Sequence, residues 1–170
     1  MPDDPFALFD LPRTFDVDLK ALEKAFLAKA RSAHPDFHAA NSESQTVAVE
    51  ESSKLNEAYA ILKSPIRRAE HLLEWLGGPS SAEVRDMPPE FLMEVMELRE
   101  EIEEVCESGG VESEQAKNLE AILTAEVANV YREIGSAFAS GKKDSESLTA
   151  IRRSINVARY LEGLLRDLKG

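Results

Sequence analysis

The sequence predicts an all-α protein in two modules: a helical hairpin with a projecting loop, then a C-terminal three-helix bundle. Three observations lead there. Apolar residues recur at spacings of three and four in almost every periodic segment, and no segment alternates with period two long enough to form a strand. Helix-breaking residues gather at a few places, above all Gly77 to Ser81 and then Pro88-Pro89. The 170 residues are 43% hydrophobic and 31% charged, which suits one ordinary domain or two small ones with packed cores.

Taken in order, Phe6, Leu8 and Phe9 make a short apolar opening segment that Pro12 ends. Asp16 or Asp18 can cap the next helix by accepting backbone N–H groups. That helix runs to about Ala33, with Leu19, Leu22, Phe26 and Ala30 inward, and Pro35 stops it. A loop through Asn41 leads to a helix over about Glu43 to Leu62, with Ala48, Leu55, Tyr59 and Leu62 inward. Pro65 opens a short helix holding Ala69, Leu72 and Leu73, which ends at Gly77. A linker over 77–88 follows. Three longer helices come next, over roughly Glu90 to Glu107, Glu112 to Ser140 and Ser145 to Leu168. Their short connections imply antiparallel neighbours, hence a bundle over 89–170 behind a first module over 1–76.

Acids outnumber bases by 32 to 20, for a net charge of −12. Such a chain repels a polyanion, so no nucleic-acid partner is expected. The one cysteine, Cys106, allows neither a disulfide framework nor a cysteine zinc site, which fits a reducing compartment. The opening residues MPDDPFALFD are acidic, unlike a signal or transit peptide, and no apolar run reaches membrane-spanning length. The expectation is a cytoplasmic protein without a membrane partner.

The first informative site is His34, Pro35 and Asp36, in the string ARSAHPDFH. It closes an amphipathic helix and opens a loop, and a helix containing LNEAYAILKSPIRRAEHLL follows. This arrangement resembles a J domain, the module by which co-chaperones stimulate seventy-kilodalton heat-shock ATPases. The resemblance implies that the His-Pro-Asp loop triggers ATP hydrolysis in the partner. The residues suit that role. Pro35 stiffens the loop, Asp36 offers a carboxylate to a partner arginine, and His34 can donate or accept at neutral pH. The preceding helix carries Lys20, Lys24, Lys29 and Arg31 against a single acid, Glu23, so it can steer onto an acidic partner surface. His34 and His38 also stand four apart, a spacing that can hold zinc on a helix. Pro35 and Asp36 interrupt any such helix and no third ligand is evident, so no metal and no cofactor are expected.

The second site lies on the first bundle helix. On a helical wheel Phe91, Val95, Leu98, Ile102 and Val105 form one stripe, enough to dock the helix. Leu92, Met93 and Met96 fall outside it, among Glu97, Arg99, Glu100 and Glu103. An apolar patch ringed by charges fits a protein contact, and methionine suits an adaptable one. The alternative is that these residues cover the first module or the linker. In the last helix Leu148, Ile151, Ile155, Ala158, Leu161 and Leu165 face inward, and Tyr160 points nearly opposite.

The strings FLMEVMELREE and ARYLEGL, at this distance from the His-Pro-Asp motif, are similar to signatures of the HscB family of J-type co-chaperones in iron–sulfur cluster biogenesis. The similarity covers essentially the whole chain. It implies that the bundle binds an IscU-like cluster scaffold through Leu92, Met93, Met96 and Tyr160, with Glu97, Arg99 and Glu100 as polar neighbours. It implies that His34, Pro35 and Asp36, helped by Lys29 and Arg31, contact an HscA-like ATPase of the DnaK type. It also implies a protein that is not itself an enzyme. Phe37 stands where many J domains carry a basic residue, which leaves the particular chaperone open. The lack of N-terminal cysteine pairs points to a bacterial-type member. The rival readings are a J protein serving another client, or a small metal-dependent enzyme using His34, Asp36 and His38.

Overall fold

In the computed structural model, residues 4–32, 42–107 and 113–169 are described, and among them every regular element is helical. The helices are α1 (Pro5–Leu8), α2 (Leu19–Ser32), α3 (Ser42–Lys63), α4 (Pro65–Trp75), α5 (Pro89–Glu107), α6 (Glu114–Ala139) and α7 (Ser145–Lys169). They fall into two compact units, Met1–Leu72 and Leu73–Gly170, so the division lies inside α4.

In the first unit α1 and α2 each start on an acid that answers orphan N–H groups. Asp4 accepts from Phe6 at 3.1 Å and starts α1, which buries Phe6. Of the two candidate caps for α2 it is Asp18 that serves, accepting from Lys20 at 2.9 Å and Ala21 at 3.2 Å. Phe26 of α2 stacks on Tyr59 of α3 with ring centroids 4.3 Å apart. Upstream, Phe15 lies under the Arg68 guanidinium at 5.5 Å. Earlier residues thus meet later ones as the chain returns, which makes α2 and α3 an antiparallel hairpin.

Two expectations need correcting here. Leu19 is 50% exposed rather than inward, because the core at that end of α2 is supplied by Phe15. On α3 Ala48, Leu55 and Leu62 are buried as expected and Ala58 joins them, while Tyr59 is half-buried with one face on Phe26. Arg68 is buried, and its position was not foreseen. Its Nε donates to the Leu62 carbonyl at 2.7 Å and its Nη1 to the Phe15 carbonyl at 2.6 Å. A buried cation is tolerated here because a guanidinium carries a rigid fork of donors and these two have carbonyl partners.

α4 ends in a Schellman motif. Gly77 sits at φ +75°, its N–H reaches Glu74, and the Gly78 N–H reaches the Leu73 carbonyl, both at 2.9 Å. The stretch that follows is non-helical and is fastened to α7. Arg152, also buried, donates to the Pro79 carbonyl at 3.0 Å. Asn156 Nδ2 donates to the carbonyls of Val84 and Asp86, each at 3.1 Å.

In the bundle α7 packs on both α5 and α6, and α5 on α6. Ser113 caps α6 through the Ala116 N–H at 3.1 Å, so that helix starts at Glu114, two residues later than its periodicity predicts. Leu148, Ile151, Ile155, Ala158 and Leu161 are buried as the wheel predicts. Leu165 is only half-buried, and Leu164 and Leu168 take its place. A helix sandwiched between two neighbours buries more than one stripe, which is also why Val157 is buried.

Candidate functional site

In the first unit the His34, Pro35 and Asp36 motif, like His38, lies outside the described residues. The helix leading to it is described. Along α2, Lys20, Lys24 and Arg31 are exposed. Lys29 is half-buried and pairs with Asp10 at 3.3 Å, which takes one cation out of the basic face. Among the described residues no group of three or more His, Cys, Asp or Glu side chains is placed to hold a metal ion. No described helix is long and apolar enough to cross a membrane.

In the second unit the candidate surface is built on α5. Val95, Ile102 and Val105 are buried and anchor the helix, while Phe91 and Leu98 are half-buried at the margin. Docking that stripe turns the opposite side to water. Leu92 is then 45% exposed, Met93 74% and Met96 66%. Glu97, Arg99 and Glu100 are exposed around them. Tyr160 of α7 meets this helix from the side. Its ring stands edge-on to Phe91 with centroids 6.1 Å apart, and its hydroxyl accepts from Arg99 Nη1 at 3.4 Å. The structure therefore brings Leu92, Met93, Met96, Arg99 and Tyr160 together at one edge of the bundle.

Beside Tyr160 lies a groove of about 440 Å³, lined by Arg85, Arg99, Asn156, Arg159, Tyr160 and Asp167 among others. The sequence carried no signal for it. Arg85 sits in the non-helical stretch, and only the tertiary fold sets that stretch beside α7.

A hairpin unit with a basic helix, followed by a bundle with an exposed apolar patch, is the arrangement that the J-type co-chaperone resemblance implies. A family profile described as HSCB C-terminal oligomerisation domain matches residues 87–169. The chain is 33% identical to the co-chaperone protein HscB homolog of Bordetella petrii, over 98% of this chain and 94% of that one. It is 34% identical to the Ralstonia nicotianae homolog, over 97% and 92% of the two chains. Its fold is similar to the solved chaperone HscB from Vibrio cholerae, at TM-score 0.76 and 32% identity over 96% of both chains. The crystal structure of human HscB gives TM-score 0.82 at 28% identity, over 98% of this chain and 80% of that one. The chain belongs to the HscB family, co-chaperones of iron–sulfur cluster biogenesis.

Proposed function

We propose that the chain couples two binding events and catalyses no covalent step itself. In this reading residues 89–170 hold an IscU-like cluster scaffold through Leu92, Met93, Met96 and Tyr160, with Glu97, Arg99 and Glu100 at the margin. Residues 1–76 are the J domain, with 77–88 as the connection. There His34, Pro35 and Asp36, with Lys29 and Arg31, engage an HscA-like ATPase of the DnaK type and accelerate its ATP hydrolysis. The setting is the bacterial cytoplasm. The gain is one of effective concentration: a scaffold held on the bundle meets the chaperone without a second diffusional encounter.

The observation that carries the scaffold half is the exposure of Met93 and Met96 on the side of α5 opposite its buried stripe. Thioethers in water add little to the fold and are suited to a partner's apolar surface. Single-turnover ATP hydrolysis by an HscA-like chaperone tests the whole reading, with the chain alone, the scaffold alone, and both. The chain alone should stimulate, and the two together should exceed the sum. Stimulation without any scaffold effect would assign the chain another client; no stimulation would remove the J-protein reading.

A further inference from the structure

We infer that the arginine-lined groove beside the apolar patch receives an acidic segment of the same partner protein. The inference rests on the scaffold reading above and extends it to a second, electrostatic subsite. Three guanidinium groups, those of Arg85, Arg99 and Arg159, line the groove against one carboxylate, Asp167. That ratio inverts the balance of a chain with 32 acids and 20 bases. Elsewhere Arg13, Arg67 and Arg153 each pair with a carboxylate. Neither Arg85 nor Arg99 is ion-paired with a described carboxylate; Arg99 has only the long bond to the Tyr160 hydroxyl at 3.4 Å.

The wall that carries Arg85 is held in place. Asn156 donates to the backbone carbonyls on either side of it, at Val84 and Asp86, both at 3.1 Å. Arg153 clamps the Asp86 carboxylate at 2.7 Å. The backbone of Arg85 is fixed by both neighbours while its side chain stays exposed. A guanidinium on a fixed backbone offers its donor fork with less ordering on binding. The groove is also open at Gly163, where an added Cβ would meet nothing within 4 Å. Glycine inside a helix weakens it, and here the missing side chain leaves room in the groove.

All three arginine side chains are exposed, so a free small anion would exchange water for little. A segment delivered by a larger contact avoids that limit. Arg99 and Tyr160 belong to the groove and to the edge of the Leu92, Met93 and Met96 patch, so one partner can cover both.

The test is calorimetric titration with the organism's own IscU-type scaffold, from roughly 50 mM to 500 mM NaCl, a range that shrinks the screening length several-fold. The proteins are wild type, R85E/R159E, R85Q/R159Q and M93A/M96A, each checked by thermal melt. Charge reversal should weaken binding about tenfold or more at low salt, with the difference fading at high salt. The glutamine pair, which removes charge without adding any, should fall in between. M93A/M96A should weaken binding at every salt concentration and keep the wild-type salt slope. If both arginine pairs bind like wild type at low salt while M93A/M96A is impaired, the groove inference fails and the scaffold reading stands. Wild type that does not bind the scaffold overturns both.

Discussion

The two units expose different chemistry. In the first, α2 exposes the cations Lys20, Lys24 and Arg31 on a helix that runs toward the His34 motif. In the second, the exposed groups that stand out are hydrocarbon and thioether, Leu92, Met93 and Met96, on a helix otherwise lined with glutamates. A charged loop contact depends on a few atoms in fixed positions, so one lost group can remove the response. An apolar contact is a sum over buried area, so it weakens in steps. On the proposed function the pair would combine an all-or-none trigger with a graded grip, and substitutions should separate them.

The largest effect is expected at the trigger. His34→Gln should remove chaperone stimulation while leaving scaffold affinity and melting temperature near wild type, because the two sites lie on different units. Single-turnover ATP hydrolysis and calorimetry on the same preparation check this. Equal stimulation by the variant would break the comparison on its first side.

Next comes the grip. In L92A/M93A/M96A each truncation should remove buried interface contact of roughly 1–2 kcal/mol. Scaffold affinity should then fall at least about a hundredfold, on the rule that about 1.4 kcal/mol is tenfold. The melt should move little, since alanine is the better helix former. The opposite face of α5 should behave in reverse: Ile102→Ala should cost about 2–5 kcal/mol of stability, with scaffold binding retained by the folded fraction. A triple variant that unfolds would place the three residues in the core. Unchanged binding with an unchanged melt would put the client elsewhere.

A third comparison sets two adjacent arginines of α4 against each other. Arg67 is exposed and pairs with Glu57 at 2.5 Å, whereas Arg68 holds two backbone carbonyls inside the first unit. Arg68→Ala leaves those carbonyls unanswered and should cost about 2–4 kcal/mol. Arg68→Lys should not rescue it, because one ammonium cannot reproduce the fork. Arg67→Ala should stay within about 0.5 kcal/mol, as exposed ion pairs do. Urea melts of the three variants check the order.

That pair also marks where sequence reading stops. The period of 3.6 residues located α2 to α7, and the docking stripe of α5 left Leu92, Met93 and Met96 on the water side. Both follow from a single helix and its own turn, so they are written locally. Nothing local distinguishes Arg68 from Arg67; the difference arises because residue 68 meets the Phe15 carbonyl, 53 positions away. Leu164 and Leu168 replace Leu165 for a similar reason, since α7 has neighbours on two sides. The groove was illegible because Asn156 meets the carbonyls of Val84 and Asp86, on either side of Arg85, only through the path of the chain after Gly77.

The smallest effect separates the units by pH. Two carboxyl groups held below their ordinary range, Glu83 and Asp144, both belong to the second unit. Glu83 is held down first by the Ser80 backbone N–H and then by its hydroxyl. Asp144 precedes α7 and accepts the Ser147 N–H at 2.9 Å and its hydroxyl at 2.8 Å. The backbone bond is the larger cause of its lowered pKa. The folded value lies below the unfolded one, so the cap's contribution is complete above the ordinary aspartate range. It is lost as pH falls through the lowered folded value. Both carboxylates are fully exposed, so the effect should be confined to the helix end. Hydrogen exchange at the first turn of α7 should rise in acid, measured relative to mid-helix amides of α7. Asp144→Asn keeps an acceptor oxygen and should abolish that pH dependence while retaining most of the cap; Asp144→Ala should lose the cap at every pH. An NMR titration of the Asp144 carboxyl with the same midpoint in the folded chain and in urea would show that this cap is not formed in solution.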